Sequence, residues 1–159
     1  MNKEHTAPDL SDAIYRVSGI IDGTAVDGSG LRTSIYFSGC DHRCPGCHNP
    51  QTWPFDAGEK MSAETLLERI ADNGFNVTFS GGDPMYQARA LVPLAKAIKA
   101  MGKTIWCYTG FVYETIKDRE PYASLLEYID VLVDGPYMES LRDPDLPFRG
   151  SSNQRIIHL

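Results

Sequence analysis

Short β-branched and aromatic runs alternate with stretches of helical periodicity along this chain, and that alternation constrains the fold more than any other feature. Arg32 to Ser38 reads as a strand ending at Gly39-Cys40. Asn76 to Ser80 is a second, closed by Gly81-Gly82, and Lys103 to Tyr108 a third, stopped at Thr109-Gly110. Asp130 to Val133 precedes Asp134-Gly135-Pro136, and Gln154 to His158 makes a last strand. Between them, Ser62 is placed to N-cap a helix, with Glu64 in its first turn and Leu66, Leu67 and Ile70 on one face. Leu91, Leu94, Ala95, Ile98 and Met101 recur at helical spacing, and Pro93 is expected in that helix's first turn. A helical stretch from Tyr113 to Tyr128 is expected to break near Pro121. Such alternation implies a parallel sheet with helical crossovers. A closed eight-stranded barrel takes roughly 250 residues, so a chain of this length predicts an α/β open partial barrel with about five to six mostly parallel strands. It is expected to be one domain over residues 1–159, with residues 1–29 the least diagnostic.

The chemically unusual residues follow strands: Cys40, the Gly81-Gly82-Asp83-Pro84 turn, Thr109-Gly110 and Asp134. In parallel α/β folds the carboxyl ends of the strands gather the site, so four segments are expected to converge on one edge. Three of the four cysteines lie in Cys40-Asp41-His42-Arg43-Cys44-Pro45-Gly46-Cys47, a C-x3-C-x2-C spacing. Structural zinc usually takes four ligands from two paired arms, and only one arm exists here. His42 or His48 is available as a fourth zinc ligand, although each abuts a cysteine. A 4Fe–4S cubane normally takes four thiolates, so three would leave one iron open to a substrate. The spacing favours iron–sulfur over zinc or unrelated thiols. Cys107, alone in a strand, reads as a small buried hydrophobe. Gly81-Gly82-Asp83-Pro84 taken alone is a plain turn between strand and helix; beside the cysteines it reads as a place where a ligand meets the main chain.

The C-x3-C-x2-C segment resembles the signature of the radical S-adenosylmethionine superfamily. Cys47-His48-Asn49-Pro50-Gln51-Thr52-Trp53 is similar to a stretch found in activases of glycyl-radical enzymes. Three further segments are Ser80-Gly81-Gly82-Asp83-Pro84, Val131-Leu132-Val133-Asp134-Gly135, and Arg149-Gly150-Ser151-Ser152-Asn153-Gln154-Arg155. Together these resemble the activating proteins of anaerobic ribonucleoside-triphosphate reductase, from about Asp27 to the C-terminus. Two positions depart from the commoner superfamily pattern: Gly46 replaces an aromatic residue before the third cysteine, and Asp83 replaces a glutamate. Both variants resemble the reductase-activase branch.

The resemblance implies an open barrel of the radical S-adenosylmethionine type and a 4Fe–4S cluster on Cys40, Cys44 and Cys47. The reduced cluster would cleave S-adenosylmethionine to methionine and a 5′-deoxyadenosyl radical. That radical would generate a glycyl radical on the large subunit of anaerobic ribonucleotide reductase. It also implies that Gly81, Gly82 and Asp83 hold the methionine ammonium, and that Gly46, Cys47 and His48 contact the adenosyl group. His48 reads equally as a surface imidazole. Asp134 and Thr109 stand where they could hold the ribose or the surroundings of the methionine carboxylate, although Asp134 also fits a turn role before Gly135-Pro136. Arg149 and Arg155 read either as docking groups for a partner or an anion, or as a solvated loop. A low-potential cluster implies a small one-electron donor such as flavodoxin. An activase of pyruvate formate-lyase or another glycyl-radical enzyme is the alternative in the same class, and a noncatalytic iron–sulfur or zinc protein the alternative in another.

A net charge of −6 without a long basic run argues against nonspecific nucleic-acid binding. No apolar stretch approaches the ~20 residues that span a bilayer, so no membrane association is expected. Met1 to Leu10 is polar and carries no signal-peptide apolar region. The expected compartment is the cytoplasm, where thiols stay reduced.

Overall fold

The computed structural model describes residues 10–159; the polar start of the chain, on which the absence of a signal segment was read, lies outside them. Seven strands form one sheet: β1 (Ile14–Thr24), β2 (Arg32–Phe37), β3 (Glu59–Ser62), β4 (Asn76–Gly81), β5 (Ile105–Tyr108), β6 (Val131–Asp134) and β7 (Arg155–His158). Their order is β3-β1-β2-β4-β5-β6-β7. The central run β2-β4-β5-β6 is parallel, while β1, β3 and β7 pair antiparallel at the flanks. The edges β3 and β7 do not meet, so the sheet is an open, incomplete barrel. Seven strands replace the expected five to six because β1 and β3 carry no clean period-2 pattern. β1 contains Gly19, Asp22 and Gly23 and slips register against β2 twice, and β3 is a four-residue edge strand with Glu59 and Lys60 exposed.

Helices α1 (Ala63–Asn73), α2 (Ala88–Ala100), α3 (Tyr113–Ile116) and α4 (Tyr122–Leu126) cross between strands. Ser62 caps α1, its hydroxyl accepting from the Thr65 amide. Gly74 ends the helix in a left-handed conformation. The helical stretch after β5 breaks before Tyr122, because Pro121 cannot continue it. Two details of α2 differ from expectation. It begins at Ala88, so Pro93 is its sixth residue rather than in its first turn. The missing Pro93 N–H removes the helical bond to the Arg89 carbonyl, and the neighbouring Ala90 carbonyl accepts from the Tyr15 hydroxyl at 2.6 Å. Met101 caps α2 and is exposed rather than packed.

Strand alternation sorts the sheet into two faces. Ile35, Phe37, Val77, Phe79, Ile105, Cys107 and Leu132 point to the helices and pack with Leu91, Leu94 and Ile98 of α2. Each fully buried Leu or Ile there contributes on the order of 1.5–3 kcal/mol. Cys107 is indeed a buried core thiol, its pKa pushed well up by that burial. The other face carries Trp106, Val131 and Val133, together with Arg32, Tyr36, Thr78 and Tyr108. Residues 25–31 fold across this face. The Thr78 hydroxyl donates to the Asp27 carbonyl at 2.7 Å, and the Tyr36 hydroxyl to the Asp27 carboxylate. Gly28 fits because a Cβ there would stand 2.8 Å from the Trp106 ring and 2.9 Å from Arg32.

Arg32 holds this layer together. It is 2% exposed, lies over the Trp106 ring at 5.7 Å, and donates to Thr78, Ser29, Val77 and Thr104. Burial pulls its pKa down to about 10, so it remains charged at neutral pH. Replacing Arg32 with Met keeps the bulk and removes the donors to the Val77, Ser29 and Thr104 carbonyls and to the Thr78 hydroxyl. The expected loss is about 3 kcal/mol, read as a lower urea midpoint at unchanged slope; a midpoint equal to wild type would contradict this account.

Candidate functional site

Four strand ends and the loops that follow them enclose a cavity of about 580 Å³. Cys40, Cys44 and Cys47 line it after β2, Ser80, Gly81 and Gly82 at the end of β4, Tyr108 to Gly110 at the end of β5, and Gly135 after β6. The rest of the wall comes from residues of the cysteine loop and the segment after it, from Val26 and Asp27, from Tyr137, and from several residues between Pro144 and Gln154. A second cavity of about 410 Å³ lies against β1 and shares Asp27, Asn49 and Ser80 with the first.

The cysteine loop is clamped at both ends. The Gly39 amide donates to the Thr52 carbonyl at 2.7 Å and the Cys40 amide to Trp53 at 3.1 Å, closing the loop on itself. The Gly82 and Asp83 amides donate to Phe37 and Gly39, fastening it to the end of β4. Within the loop the Cys47 amide donates to Cys44, and the Asn49 amide donates to the Cys47 sulfur. All three cysteines are free thiols. Among the described residues no three His, Cys, Asp or Glu side chains converge on a single-ion site; the thiols face a shared cavity instead. That donor set fits a 4Fe–4S cluster with one iron left open, since such a cluster normally takes four thiolates and three face the cavity here. Burial pushes the Cys40 thiol up to about 11, so iron binding there releases a proton.

Gly81 and Gly82 are glycines for a reason the sequence did not show. Gly81 has φ +110°, and a Cβ on it would stand 2.3 Å from the Phe37 backbone; one on Gly82 would stand 2.7 Å from the Gly39 carbonyl. Close packing of β4 on the cysteine loop therefore dictates both, and both still present backbone to the cavity. Asp83 is fully buried and does not line the cavity. One carboxylate oxygen accepts from the Met85 amide at 3.0 Å, capping the turn into α2. The other takes His42 Nε2 at 2.6 Å, the Thr109 hydroxyl at 2.9 Å and the Gly110 amide at 2.9 Å. His42, weighed above as a zinc ligand, thus bonds Asp83 and packs edge-on against Phe111.

Asp134 is likewise buried and turned away from the cavity. It accepts from the Tyr113 amide and from Arg155, which also pairs with Glu114. Gly46 has φ +78° and sits behind the loop against Glu139, whereas Cys47 and His48 line the cavity, His48 beside the Tyr137 ring. Asp27, Tyr108 and Phe148 are among the cavity residues that had no sequence signal. The Tyr108 hydroxyl is buried without a partner, and burial, reinforced by Asp27, raises its pKa. It therefore stays protonated and able to donate.

An open α/β sheet that brings three free cysteines and a glycine turn to one cavity defines a cluster-binding protein. A family model described as 4Fe–4S single cluster domain matches residues 26–157. The chain is 38% identical over 143 residues to the anaerobic ribonucleoside-triphosphate reductase-activating protein of Vibrio cholerae, covering 84% of this chain and 90% of that one. It is 35% identical to the protein of that name from Escherichia coli K12 (84% and 92% covered) and to that of Enterobacteria phage T4 (82% and 86% covered). The chain belongs to this family of activating proteins. Its fold is similar to that of QueE from Escherichia coli, with a TM-score of 0.56 at 21% identity, over 64% of this chain and 54% of that one.

The geometry makes Asp83 the joint between the cysteine loop and β5. Replacing Asp83 with Asn keeps its shape and loses the charge that three donors share. A destabilisation of about 1–3 kcal/mol is expected, together with faster hydrogen exchange at the Gly110 amide. Wild-type exchange at Gly110 in the variant would show that the joint lies elsewhere.

Proposed function

We propose that this chain activates an anaerobic ribonucleotide reductase by reductive cleavage of S-adenosylmethionine, leaving a glycyl radical on the large subunit of that partner. The observation that supports it best is the meeting of Cys40, Cys44, Cys47, Gly81 and Gly82 in one cavity at the carboxyl edge of parallel strands. Its volume falls within the ~300–1,000 Å³ usual for small-molecule sites. When bound, the 4Fe–4S cluster supplies the electron that splits S-adenosylmethionine, whose adenosyl fragment then withdraws hydrogen from the Cα of a partner glycine.

The chain's own residues hold and orient. Cys40, Cys44 and Cys47 would hold the cluster through their thiolates. The Gly81 and Gly82 backbone receives the ammonium of the methionine moiety. Cys47 and His48 flank the adenosyl group, with Gly46 shaping the turn that presents them. Asp83 and Asp134 act one step back, as positioning residues: Asp83 fixes His42 and the turn after β5, and Asp134 fixes β7. Trp53, Tyr137, Leu146 and Phe148 give the cavity an apolar wall that limits water. The whole chain works as one domain. The reductant is a small one-electron donor of the flavodoxin kind, and the compartment is the cytoplasm. No helix among the described residues is long and apolar enough to cross a membrane.

The test is anaerobic reconstitution with iron and sulfide, followed by dithionite reduction in the presence of S-adenosylmethionine. Wild type is expected to take up iron and form 5′-deoxyadenosine, and to raise a glycyl-radical resonance on added reductase. Alanine at Cys40, Cys44 or Cys47 is expected to drop deoxyadenosine to background. A cluster that forms but never cleaves the cofactor would refute the reading and leave a noncatalytic iron–sulfur protein.

A further inference from the structure

Arg149 and Arg155 flank the same turn, and the structure gives them different work. Arg155 is fully engaged. Its Nε and Nη2 donate to Asp134, and its Nη1 and Nη2 to Glu114. Arg149 has one hydrogen bond among the described residues, a long 3.4 Å contact from Nη1 to the Gln154 carbonyl. It forms no ion pair among those residues, and its Nε is buried without an acceptor. A buried guanidinium N–H without a partner is uncommon and calls for an explanation.

Its surroundings are rigid. The Gln154 side chain accepts from the Gly150 and Ser151 amides and donates to the Gly135 carbonyl, locking the turn to the end of β6. Phe148 holds φ +62°, a left-handed conformation that a bulky residue adopts only when its surroundings impose it. Its ring packs edge-on to Trp106 at 5.1 Å, which fixes the direction in which the chain leaves toward Arg149. Among the described residues Arg149 is the one arginine or lysine on the cavity wall, and Asp27, engaged by Tyr36, the one carboxylate.

With Nη1 tethered to Gln154 and Nε enclosed by protein, Arg149 brings a positive charge to the cavity wall that no carboxylate among the described residues pairs with. A carboxylate supplies both the missing counter-charge and a charge-assisted hydrogen bond to the guanidinium. We propose that Arg149 receives a carboxylate inside the cavity, and that it is the carboxylate of the methionine moiety of S-adenosylmethionine. The assignment rests on the function proposed above. Thr109 and Asp134, the residues the sequence offered for that neighbourhood, are already spent on Asp83 and on Arg155. A cofactor with a cationic sulfonium and ammonium is also a poor neighbour for a bare guanidinium unless its one anionic group faces it.

Binding to the oxidised, reconstituted protein, where no turnover occurs, separates the possibilities. The ligands are S-adenosylmethionine and decarboxylated S-adenosylmethionine, which lacks only the carboxylate. The proteins are wild type, Arg149→Gln and Arg149→Lys, each checked for an unchanged melting temperature. Arg149→Gln is expected to weaken S-adenosylmethionine roughly 10- to 100-fold and to leave the decarboxylated ligand's affinity as it was. Arg149→Lys should recover part of the loss, since an ammonium gives a point charge without the fork. Equal weakening of both ligands would overturn the proposal in favour of a purely structural role. Unchanged binding of both, with a raised KM for the reductase, would overturn it by placing the carboxylate on the partner. Wild type that binds neither ligand would sink the proposed function and this inference together, whereas failure confined to the variants sinks the inference alone.

Discussion

One buried carboxylate joins the parts of this molecule that must not move relative to one another. Asp83 receives a helix-turn amide on one oxygen and His42, Thr109 and Gly110 on the other. Those four donors come from the start of the turn into α2, the cysteine loop and the end of β5. An ionised group without water costs several kcal/mol unless its lone pairs are satisfied, and here both oxygens are supplied, by two backbone amides, a hydroxyl and an imidazole. The interaction is strong because it is complete, and completeness holds only in one arrangement of loop and strands. The cysteine loop therefore inherits its position from the sheet.

The same logic of full satisfaction recurs on the opposite side of the sheet. Arg32 fills the face of the open sheet away from the helices, and it does so with hydrogen bonds and a place over the Trp106 ring. Residues 25–31 then cover it, with Gly28 against Trp106. The two faces of one sheet thus follow different rules. Apolar burial against helices supplies cohesion, and polar closure keeps the concave face from collapsing where the cavity must stay open.

Much of this was legible in the sequence, and the limits were physical. Strands β2, β4, β5 and β6 could be read because β-branched and aromatic runs end at glycine, cysteine or aspartate. The cysteines declared themselves by spacing. Strands β1 and β3 could not be read: bulges and glycines blur one, and the other is a short charged edge that only its pairing with Ile14 to Val17 makes a strand. The glycines after β4 were legible as a motif, but their cause, contact with the Phe37 and Gly39 backbone, depends on residues about 40 positions away. Asp83 looked like a ligand contact because sequence shows a charge and not its neighbours. Arg149 and Arg155 looked alike for the same reason, and only the placement of Asp134 and Glu114 tells them apart.

The cavity draws its walls from Val26 through to Gln154, and the parallel pairings that assemble it join segments far apart in the chain. Non-local pairing of this kind is slow to form. During synthesis the three cysteines emerge about a hundred residues ahead of the turn that holds Arg149. A cluster captured on the nascent loop would sit unshielded until that turn arrives, exposed to oxidant and to exchange with solvent. The order of the residues along the chain thus favours loading once β7 has paired with β6 and the last wall of the cavity is in place.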